Sequence, residues 1–222
     1  MKILVLNGSP KKDHSDCLRL TRAFLRGMGE EAEILHAVDL HVKPCLGCFA
    51  CWKPGAVGCI QQDDMNGLLQ KIVASDMVIW SFPLYCYGMP APLKAVVDRL
   101  LALSTSEQKT ADDGSTYHPN KQACAVRFMM ISGCGFPNID HNYEGVTFQF
   151  EKMFGSTPRI LCAEAPLLNI PEAAPVADAY LALVEQAGHE YAQSGVISPE
   201  TQRKLDTPMF DPVAYRQMSS GK

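Results

Sequence analysis

Short apolar runs alternate with amphipathic stretches along most of the chain. The runs are nearly continuous in apolar residues, which is typical of parallel strands buried on both faces of a sheet. The first run ends at Asn7-Gly8-Ser9, a common turn signal. We predict five strands, at residues 2–9, 31–38, 76–83, 123–135 and 158–168.

The stretches between these runs carry apolar residues at helical spacing. The first of them begins at a residue suited to capping a helix, either Ser15 or Asp16, and ends at Gly29. The predicted helices cover residues 15–29, 63–75, 89–103, 143–155 and 172–193.

Five strands that alternate with helices predict an α/β fold. The expected architecture is a doubly wound, five-stranded parallel sheet of order 2-1-3-4-5, with a ligand at the carboxyl ends of the strands. No repeat or shift in composition marks a boundary. We therefore predict one domain over residues 1–197 and a C-terminal extension over 198–222, which holds one further short helix.

Charge and composition narrow the class of partner. The formal net charge is -4, and no basic stripe is present, which argues against nucleic acid. No apolar run is long enough to span a membrane, and the apolar start at residues 3–6 is too short for a signal peptide. We expect a cytoplasmic, reducing setting, where nine cysteines indicate metal or redox chemistry before disulfides.

The loop after the first strand reads "NGSPKKDHSD" at residues 7–16. It matches neither a dinucleotide fingerprint nor a P-loop. It does combine hydroxyls, an amide, cations and a helix N-terminus, which together can bind a terminal phosphate dianion. A plain polar turn with a capping residue is the alternative on this loop alone.

Two further loops at predicted strand ends carry aromatic residues and glycines. The loop after the third strand contains Pro83, Tyr85, Tyr87 and Gly88, and "SGCGFPN" follows the fourth strand at residues 132–138. Flat side chains and free backbone groups at such an edge can stack on and hydrogen-bond a planar heterocycle.

With these loops the chain resembles the NAD(P)H-dependent FMN reductases, a flavodoxin-like family. The segment "FPLYCYGMPAPLKAVVDR" is similar to that family's "P-x-Y-x-x-x-x-P-x-x-L-K-x-x-x-DR" pattern. The first loop is similar to its "GSPR…NS" phosphate loop, and "ISGCG" to its fourth strand end. The likeness covers residues 1–193. Lys11 departs from the usual arginine, and Cys86 and Cys134 are unusual sulfurs in the ring-side loops.

The resemblance implies FMN as cofactor and NAD(P)H as co-substrate. It assigns the FMN phosphate to Ser9, Lys11, Ser15, Asp16 and Cys17. It assigns the isoalloxazine ring to Pro83, Leu84, Tyr85, Cys86, Tyr87, Gly88 and Met89, and to Ser132, Gly133, Cys134, Gly135 and Phe136. The flavin carries the chemistry, so no catalytic acid–base pair is expected. The expected electron acceptor is a quinone, an azo or nitro compound, or free flavin, and the expected assembly is a homodimer or tetramer.

A cysteine-rich stretch, "PCLGCFACWKPGAVGC", follows the second strand at residues 44–59. Its spacing, C-x2-C-x2-C-x7-C, is closer to an iron–sulfur run than to the paired knuckles of structural zinc. Iron–sulfur flavoproteins, a branch of the same family, carry a similar run at this point. Cys45, Cys48, Cys51 and Cys59 would then bind a [4Fe–4S] cluster. A packed apolar loop without a metal remains open, because free cysteine is often simply buried.

Several other residues favour structural explanations. Lys94 and Asp98 are one helical turn apart and predict a surface ion pair. Arg99, next to Asp98 in the family motif, is expected to make a structural contact. His14 is a candidate phosphate contact or a solvated loop histidine. The polar insertion at 104–122, with Tyr117 and His118, is predicted to be a mobile loop, with a cover over the flavin as the alternative. A flavodoxin-like binding protein without turnover is the non-enzymatic alternative.

Overall fold

The computed structural model describes residues 1–121 and 125–219. Within these residues, five parallel strands form one sheet of order β2-β1-β3-β6-β7, and two short strands form an antiparallel hairpin. The strands are β1 Ile3–Asn7, β2 Glu33–His36, β3 Met77–Pro83, β4 Lys109–Thr110, β5 Thr116–Tyr117, β6 Arg127–Gly133 and β7 Arg159–Cys162. This is the predicted flavodoxin-like, doubly wound sheet, with β6 and β7 as its fourth and fifth strands.

Helices cover both faces of the sheet. The α-helices are α1 Asp16–Met28, α2 Met65–Val73, α3 Ala91–Arg99, α4 Glu144–Phe154, α5 Ala174–Ser194, α6 Pro199–Leu205 and α7 Pro212–Ser219. Short 3-10 helices are Lys12–His14, Ala37–Asp39, Ala50–Trp52, Leu100–Leu103, Ala165–Asn169 and Pro171–Ala173. Ser15 caps α1, and Gly29 ends it in the left-handed conformation, as predicted.

The core consists of two apolar layers, one on each side of the sheet. Side chains alternate along a strand, so β1 sends Ile3 and Val5 into the layer beneath α1 and α5. Leu4 and Leu6 enter the layer beneath α2, α3 and α4. Because both faces are covered, all five residues of β1 are buried.

The carboxyl ends of the central strands meet at one edge. Asn7 of β1 pairs with Ser81 of β3, Pro83 with Gly133 of β6, and Gly133 with Cys162 of β7. Each observed strand is shorter than the predicted one, because the ends of the predicted runs continue into loops or 3-10 helices, such as Ala165–Asn169 after β7. The predicted start of the fourth strand, at residues 123–124, lies outside the described residues.

Two segments differ from their sequence predictions. The insertion, described up to residue 121, contains the β4–β5 hairpin, which was not predicted, and Lys152 of α4 pairs with Asp113 at its tip at 2.6 Å. The tail after residue 197 holds two helices rather than one. Its Tyr215 donates a hydrogen bond to the Gly135 carbonyl at 3.2 Å, and Phe210 N–H donates to Glu164 at 2.8 Å.

Candidate functional site

The first loop is built on the carboxyl end of β1. The buried side chain of Asn7 accepts a hydrogen bond from Ser9 N–H at 3.1 Å and donates to the Lys12 carbonyl at 3.2 Å. Ser9 is itself buried, and its hydroxyl accepts from Lys11 N–H at 3.3 Å. One amide side chain therefore holds both sides of the loop in a fixed curve.

The N-terminus of α1 follows directly. The Ser15 hydroxyl accepts from Leu18 N–H at 3.2 Å, so it acts as the helix cap. The N–H groups of Asp16 and Cys17 come first in the helix and have no acceptor within it. With the positive end of the helix dipole, they form an anion-binding element. Lys11 pairs with Asp16 at 3.2 Å beside it.

The loop after β3 makes a tight turn that projects from the sheet edge. Tyr85 and Gly88 exchange two backbone hydrogen bonds of 3.0 Å. Cys86 and Tyr87 between them have φ values of 48° and 63°, the left-handed region that residues with side chains rarely adopt. Both central residues of a type I′ turn need positive φ, and strained backbone of this kind is concentrated at functional sites. Tyr87 stacks on Phe136 with ring centroids 5.9 Å apart.

Gly133, the last residue of β6, packs closely against α1 and against the 3-10 helix that follows β7. A Cβ atom there would be 2.6 Å from the Ala165 side chain and 3.3 Å from the Cys17 sulfur. The neighbouring backbone is bonded across the sheet edge: Leu84 N–H donates to the Gly133 carbonyl, and Cys134 N–H to the Cys162 carbonyl, both at 2.9 Å. The floor of this edge therefore has room for glycine only.

These loops enclose one open pocket of about 180 Å³, which we call the strand-end pocket. Its lining comprises Ser9, Lys11, Ser15, Asp16, Cys17, Pro83, Leu84, Tyr85, Gly133, Cys134, Gly135, Ala165 and Pro166. All five residues assigned to the FMN phosphate are among them, as are six of those assigned to the ring. Sequence reasoning missed Ala165 and Pro166, although they follow the last strand at the same edge.

The remaining predicted positions lie outside this lining. Cys86 and Tyr87 are exposed on the projecting turn, with Gly88 and Met89 behind them. Ser132 is fully buried beneath the pocket, where Tyr143 donates to its hydroxyl at 3.3 Å. His14 does not line the pocket.

The two cysteines that line the strand-end pocket are unreactive thiols. Burial raises the pKa of Cys17 to about 12 and also raises the pKa of Cys134. A thiol held above its usual pKa is protonated at neutral pH, and the thiolate is the reactive form. These two cysteines therefore act as small apolar groups in the lining.

A second candidate site lies in the loop at residues 44–62, which we call the cysteine loop. Asp63 and Arg99 close its base. Arg99 donates to both carboxylate oxygens of Asp63, at 2.5 and 2.9 Å, and to the Lys43 carbonyl at 3.1 Å. Lys43 N–H in turn donates to Asp63 at 3.0 Å. Both side chains of the ion pair are completely buried. As expected, Arg99 has a structural contact, whereas Lys94 and Asp98 form an exposed pair at 2.5 Å.

The ion pair also sets the charge at this base. Burial opposes ionisation of Asp63, but hydrogen bonds from Arg99, Lys43 and Met65 outweigh it and lower its pKa to about 2. Asp63 is therefore a carboxylate at any physiological pH.

The four cysteines of the run line one small pocket of about 20 Å³, together with Arg99, Leu101 and Ala102. Cys45 and Cys48 are exposed, and Cys51 and Cys59 are partly buried. Among residues 1–121 and 125–219, no three His, Cys, Asp or Glu side chains are grouped closely enough to hold a metal ion. Four thiols around one pocket are the donor set of an iron–sulfur cluster.

The hairpin covers this loop. The His118 ring lies 4.7 Å from that of Trp52, and Lys121 donates to the Cys51 carbonyl at 2.7 Å. Trp52 also stacks on Phe49 and donates to the Leu101 carbonyl at 3.2 Å. The insertion therefore packs against the cysteine loop within this chain.

The family model of the NADPH-dependent FMN reductases matches residues 1–133. Because the match covers more than half of the 222 residues, the chain belongs to the NADPH-dependent FMN reductase family. The matched segment contains the first loop, the loop after β3 and the cysteine loop. No helix among the residues that the structure describes is long and apolar enough to cross a membrane.

Curated relatives include proteins named iron-sulfur flavoprotein, among them one from Archaeoglobus fulgidus and one from Methanosarcina thermophila. The one from Archaeoglobus fulgidus is 35% identical over 100 residues, which is 45% of this chain and 48% of that protein. The one from Methanosarcina thermophila is 34% identical over 106 residues, which is 46% of this chain and 54% of that protein. The chain therefore spans about half the length of the curated relatives it matches.

Solved structures share the fold. An FMN-dependent NADH-azoreductase from Bacillus anthracis in complex with FMN has a TM-score of 0.61 and 18% identity, over 86% of this chain and 99% of that chain. An NAD(P)H:quinone oxidoreductase from Methanothermobacter marburgensis has a TM-score of 0.61 and 13% identity, over 85% of this chain and 98% of that chain. At these identities the likeness supports the flavodoxin-like fold.

Proposed function

We propose that this protein is an FMN-dependent NAD(P)H oxidoreductase that passes electrons from a nicotinamide to a small acceptor such as a quinone, an azo or nitro compound, or free flavin. The observation that carries the proposal is the strand-end pocket, which joins an anion-binding loop to an open aromatic edge. The family membership and the names of the structural neighbours support the same reaction class.

The phosphate of FMN would bind at the N-terminus of α1. The first amides of the helix would donate to it, together with the hydroxyls of Ser9 and Ser15, whose oxygens accept backbone hydrogen bonds and leave the O–H free. Lys11 supplies a positive charge. It is a compact ammonium rather than a planar fork, so it would contact the phosphate as a point charge.

The ring would lie against the loops after β3 and β6. Pro83, Leu84 and Tyr85 line one side, and Gly133 to Gly135 line the other. The strained turn holds Tyr87 on Phe136 at the rim, where both side chains are solvent-exposed. Such a rim suits a flat second substrate, which stacks well on aromatic surface.

FMN, when bound, would supply the hydride and electron transfer. The chain's own contribution is to hold the cofactor and shape its exposed face. The buried thiols of Cys17 and Cys134 stay protonated and compete with neither step, because burial raises the pKa of both. We also propose a homodimer or tetramer, in which a second chain would complete the rim.

The test is turnover by the flavin-loaded protein. The protein should purify with equimolar FMN and oxidise NADPH or NADH when a quinone, azo dye, nitroarene or free flavin is supplied anaerobically. Protein stripped of FMN should be inactive and regain activity on adding FMN. Bound FMN with no nicotinamide oxidation by any acceptor would favour the non-enzymatic binding protein instead.

We also propose a second candidate, an iron–sulfur flavoprotein that carries electrons to a protein partner. Two observations favour it: all four cysteines of the run line one pocket, and the curated relatives bear that name. Cys45, Cys48, Cys51 and Cys59 would hold a [4Fe–4S] cluster, whose chemistry is one-electron transfer. The enclosed space is small, so the exposed half of the loop would have to open around such a cluster.

The two candidates are separated by one purification under anaerobic conditions. Iron, acid-labile sulfide and flavin are measured in the same sample. Flavin alone supports a simple reductase, whereas about four iron and four sulfide per chain support the cluster. A matched pair of variants gives the control: Cys59→Ser should abolish the iron, while Cys86→Ser, an exposed cysteine outside the cysteine loop, should leave it unchanged.

A further inference from the structure

Arg99 is the last residue of α3 and is completely buried, yet it has one unused donor. Two of its guanidinium nitrogens bond Asp63 and the Lys43 carbonyl. Its Nε is buried and, among the described residues, has no hydrogen-bond partner. A buried donor left unpaired is destabilising, because it has lost its hydrogen bonds to water and gained none in return. Such a group calls for an acceptor that the described residues do not supply.

The surroundings of Arg99 indicate the kind of acceptor. Arg99 lines the small pocket of the four cysteines, whereas Asp63 does not. The positive end of the buried ion pair therefore faces the sulfurs. An arginine guanidinium stays protonated throughout the pH range in which proteins are folded. Arg99 is thus a permanent cation on the floor of a sulfur-lined pocket.

We propose that Arg99 is a positioning residue for the four-cysteine site, which holds the base of the cysteine loop and directs its charge and free N–H at a negatively charged, thiolate-bound group. This inference rests on the iron–sulfur candidate above. Four thiolates around an iron–sulfur core carry net negative charge, and one-electron reduction adds another. A fixed cation beside them stabilises the reduced form more than the oxidised form, which raises the reduction potential.

The exposed pair on the same helix provides a control. Lys94 and Asp98 have the same charges as the Arg99–Asp63 pair, but water surrounds them. Removing either pair leaves the net charge of the protein unchanged. The two double variants, Asp63→Asn with Arg99→Met and Lys94→Met with Asp98→Asn, differ only in whether the lost dipole was buried against the sulfurs.

The experiment is an anaerobic redox titration of protein reconstituted with Fe²⁺ and sulfide, with iron content measured for every variant. At a fixed potential, the ratio of reduced to oxidised cluster should fall about tenfold in the Asp63→Asn/Arg99→Met variant, which is a downward shift of about 59 mV for a one-electron couple. The Lys94→Met/Asp98→Asn variant should match the wild type. Arg99→Lys, which keeps the charge, should stay within about threefold of the wild type.

The outcomes either support the proposed role of Arg99 or overturn it. A cluster of unchanged potential in the Asp63→Asn/Arg99→Met variant overturns the inference, and so does an equal shift in the exposed-pair variant. If the double variant does not fold, a full tenfold fall in Arg99→Lys overturns it. A wild-type protein that takes up neither iron nor sulfide removes the iron–sulfur candidate and this inference together, while its FMN content still tests the reductase.

Discussion

The strand-end pocket and the cysteine loop are held by different kinds of contact. In the pocket, backbone hydrogen bonds of 2.9 Å join the ends of neighbouring strands, at Leu84 to Gly133 and Cys134 to Cys162. In the cysteine loop, a buried ion pair holds the base, and single side-chain hydrogen bonds hold the middle: Trp52 donates to the Leu101 carbonyl and Lys121 to the Cys51 carbonyl. The pocket encloses about 180 Å³, the cysteine pocket about 20 Å³.

Because of this difference, the two regions differ in how far they are formed before a ligand binds. Strand ends are fixed by the whole sheet, so the strand-end pocket exists before any ligand binds. Side-chain contacts hold the cysteine loop at its base and around Cys51, so a bound group would have to arrange the exposed Cys45 and Cys48. We expect substitutions in the pocket to act by filling the space for the cofactor. Substitutions in the loop should act by breaking the Asp63–Arg99 ion pair at its base.

The largest effect is expected from Asp63→Asn at the base of the loop. Arg99 would remain buried without its counter-charge, and breaking a buried pair on one side costs about 3–5 kcal/mol. The free energy of unfolding, measured in urea, checks this. Asp98→Asn is the control, because its exposed pair with Lys94 contributes less than about 0.5 kcal/mol. Equal losses in both variants would contradict the comparison.

Gly133→Ala should have the next largest effect, on the pocket alone. The added methyl would sit 2.6 Å from Ala165 and 3.3 Å from the Cys17 sulfur, so the floor must shift. We expect FMN affinity to fall about a hundredfold, or roughly 2.7 kcal/mol, in a fluorescence titration. At Gly67, in α2 and outside the pocket lining, no atom lies within 4 Å of an added Cβ, so Gly67→Ala should bind FMN normally. Equal affinities for the two variants would count against our placement of the cofactor.

Acid should loosen the cysteine loop before the pocket. The folded-state pKa of Asp63, about 2, is below its ordinary value of 3.8, so its contribution is full above pH 4 and is lost as the pH falls towards 2. A shift of this size corresponds to about 2 kcal/mol. The chain has two tryptophans, Trp52 and Trp80. In a Trp80→Phe variant, the tryptophan fluorescence therefore comes from Trp52, which lies within the cysteine loop. Its fluorescence should change over this range, and Asp63→Asn should remove that transition.

The smallest effect is expected from Ser9→Ala with Ser15→Ala. Each substitution removes a hydroxyl donor from the phosphate end of the pocket, and together they should weaken FMN binding about tenfold. Ser15→Ala also removes a helix cap, worth about 1 kcal/mol. Ser198→Ala is the matched control, because Ser198 caps α6 in the same way at 3.2 Å, outside the pocket lining. If Ser198→Ala weakened FMN equally, the loss would be one of stability.

Much of the strand-end pocket could be predicted from the chain. The apolar runs located all five strands, and parallel strands bring their carboxyl ends to one edge, so the loops after them had to meet. That rule also covers Ala165 and Pro166, which the family motif does not include. The left-handed backbone at Cys86 and Tyr87 was not predictable, because neither residue type favours it.

The cysteine loop was much less predictable. Asp63 and Arg99 are 36 residues apart, and nothing in the local pattern of either joins them. Asp63 precedes α2 and Arg99 ends α3, so each charge suits the dipole of its own helix. Neither position indicates that the two residues form an ion pair. The packing of the β4–β5 hairpin on the cysteine loop depends on contacts such as that between His118 and Trp52. Such contacts join distant segments, so the spacing of apolar residues does not predict them.

Patterns within contiguous segments were enough to predict the sheet and the edge where a ligand would bind, because each apolar run, amphipathic stretch and loop motif is local in the chain. The surroundings of the cysteine run depend instead on how distant segments pack. Long-range packing places a buried cation beneath the sulfurs and a hairpin above them. Charge and burial there depend on residues far apart in sequence, so the chemistry of the run is a property of the fold rather than of its spacing.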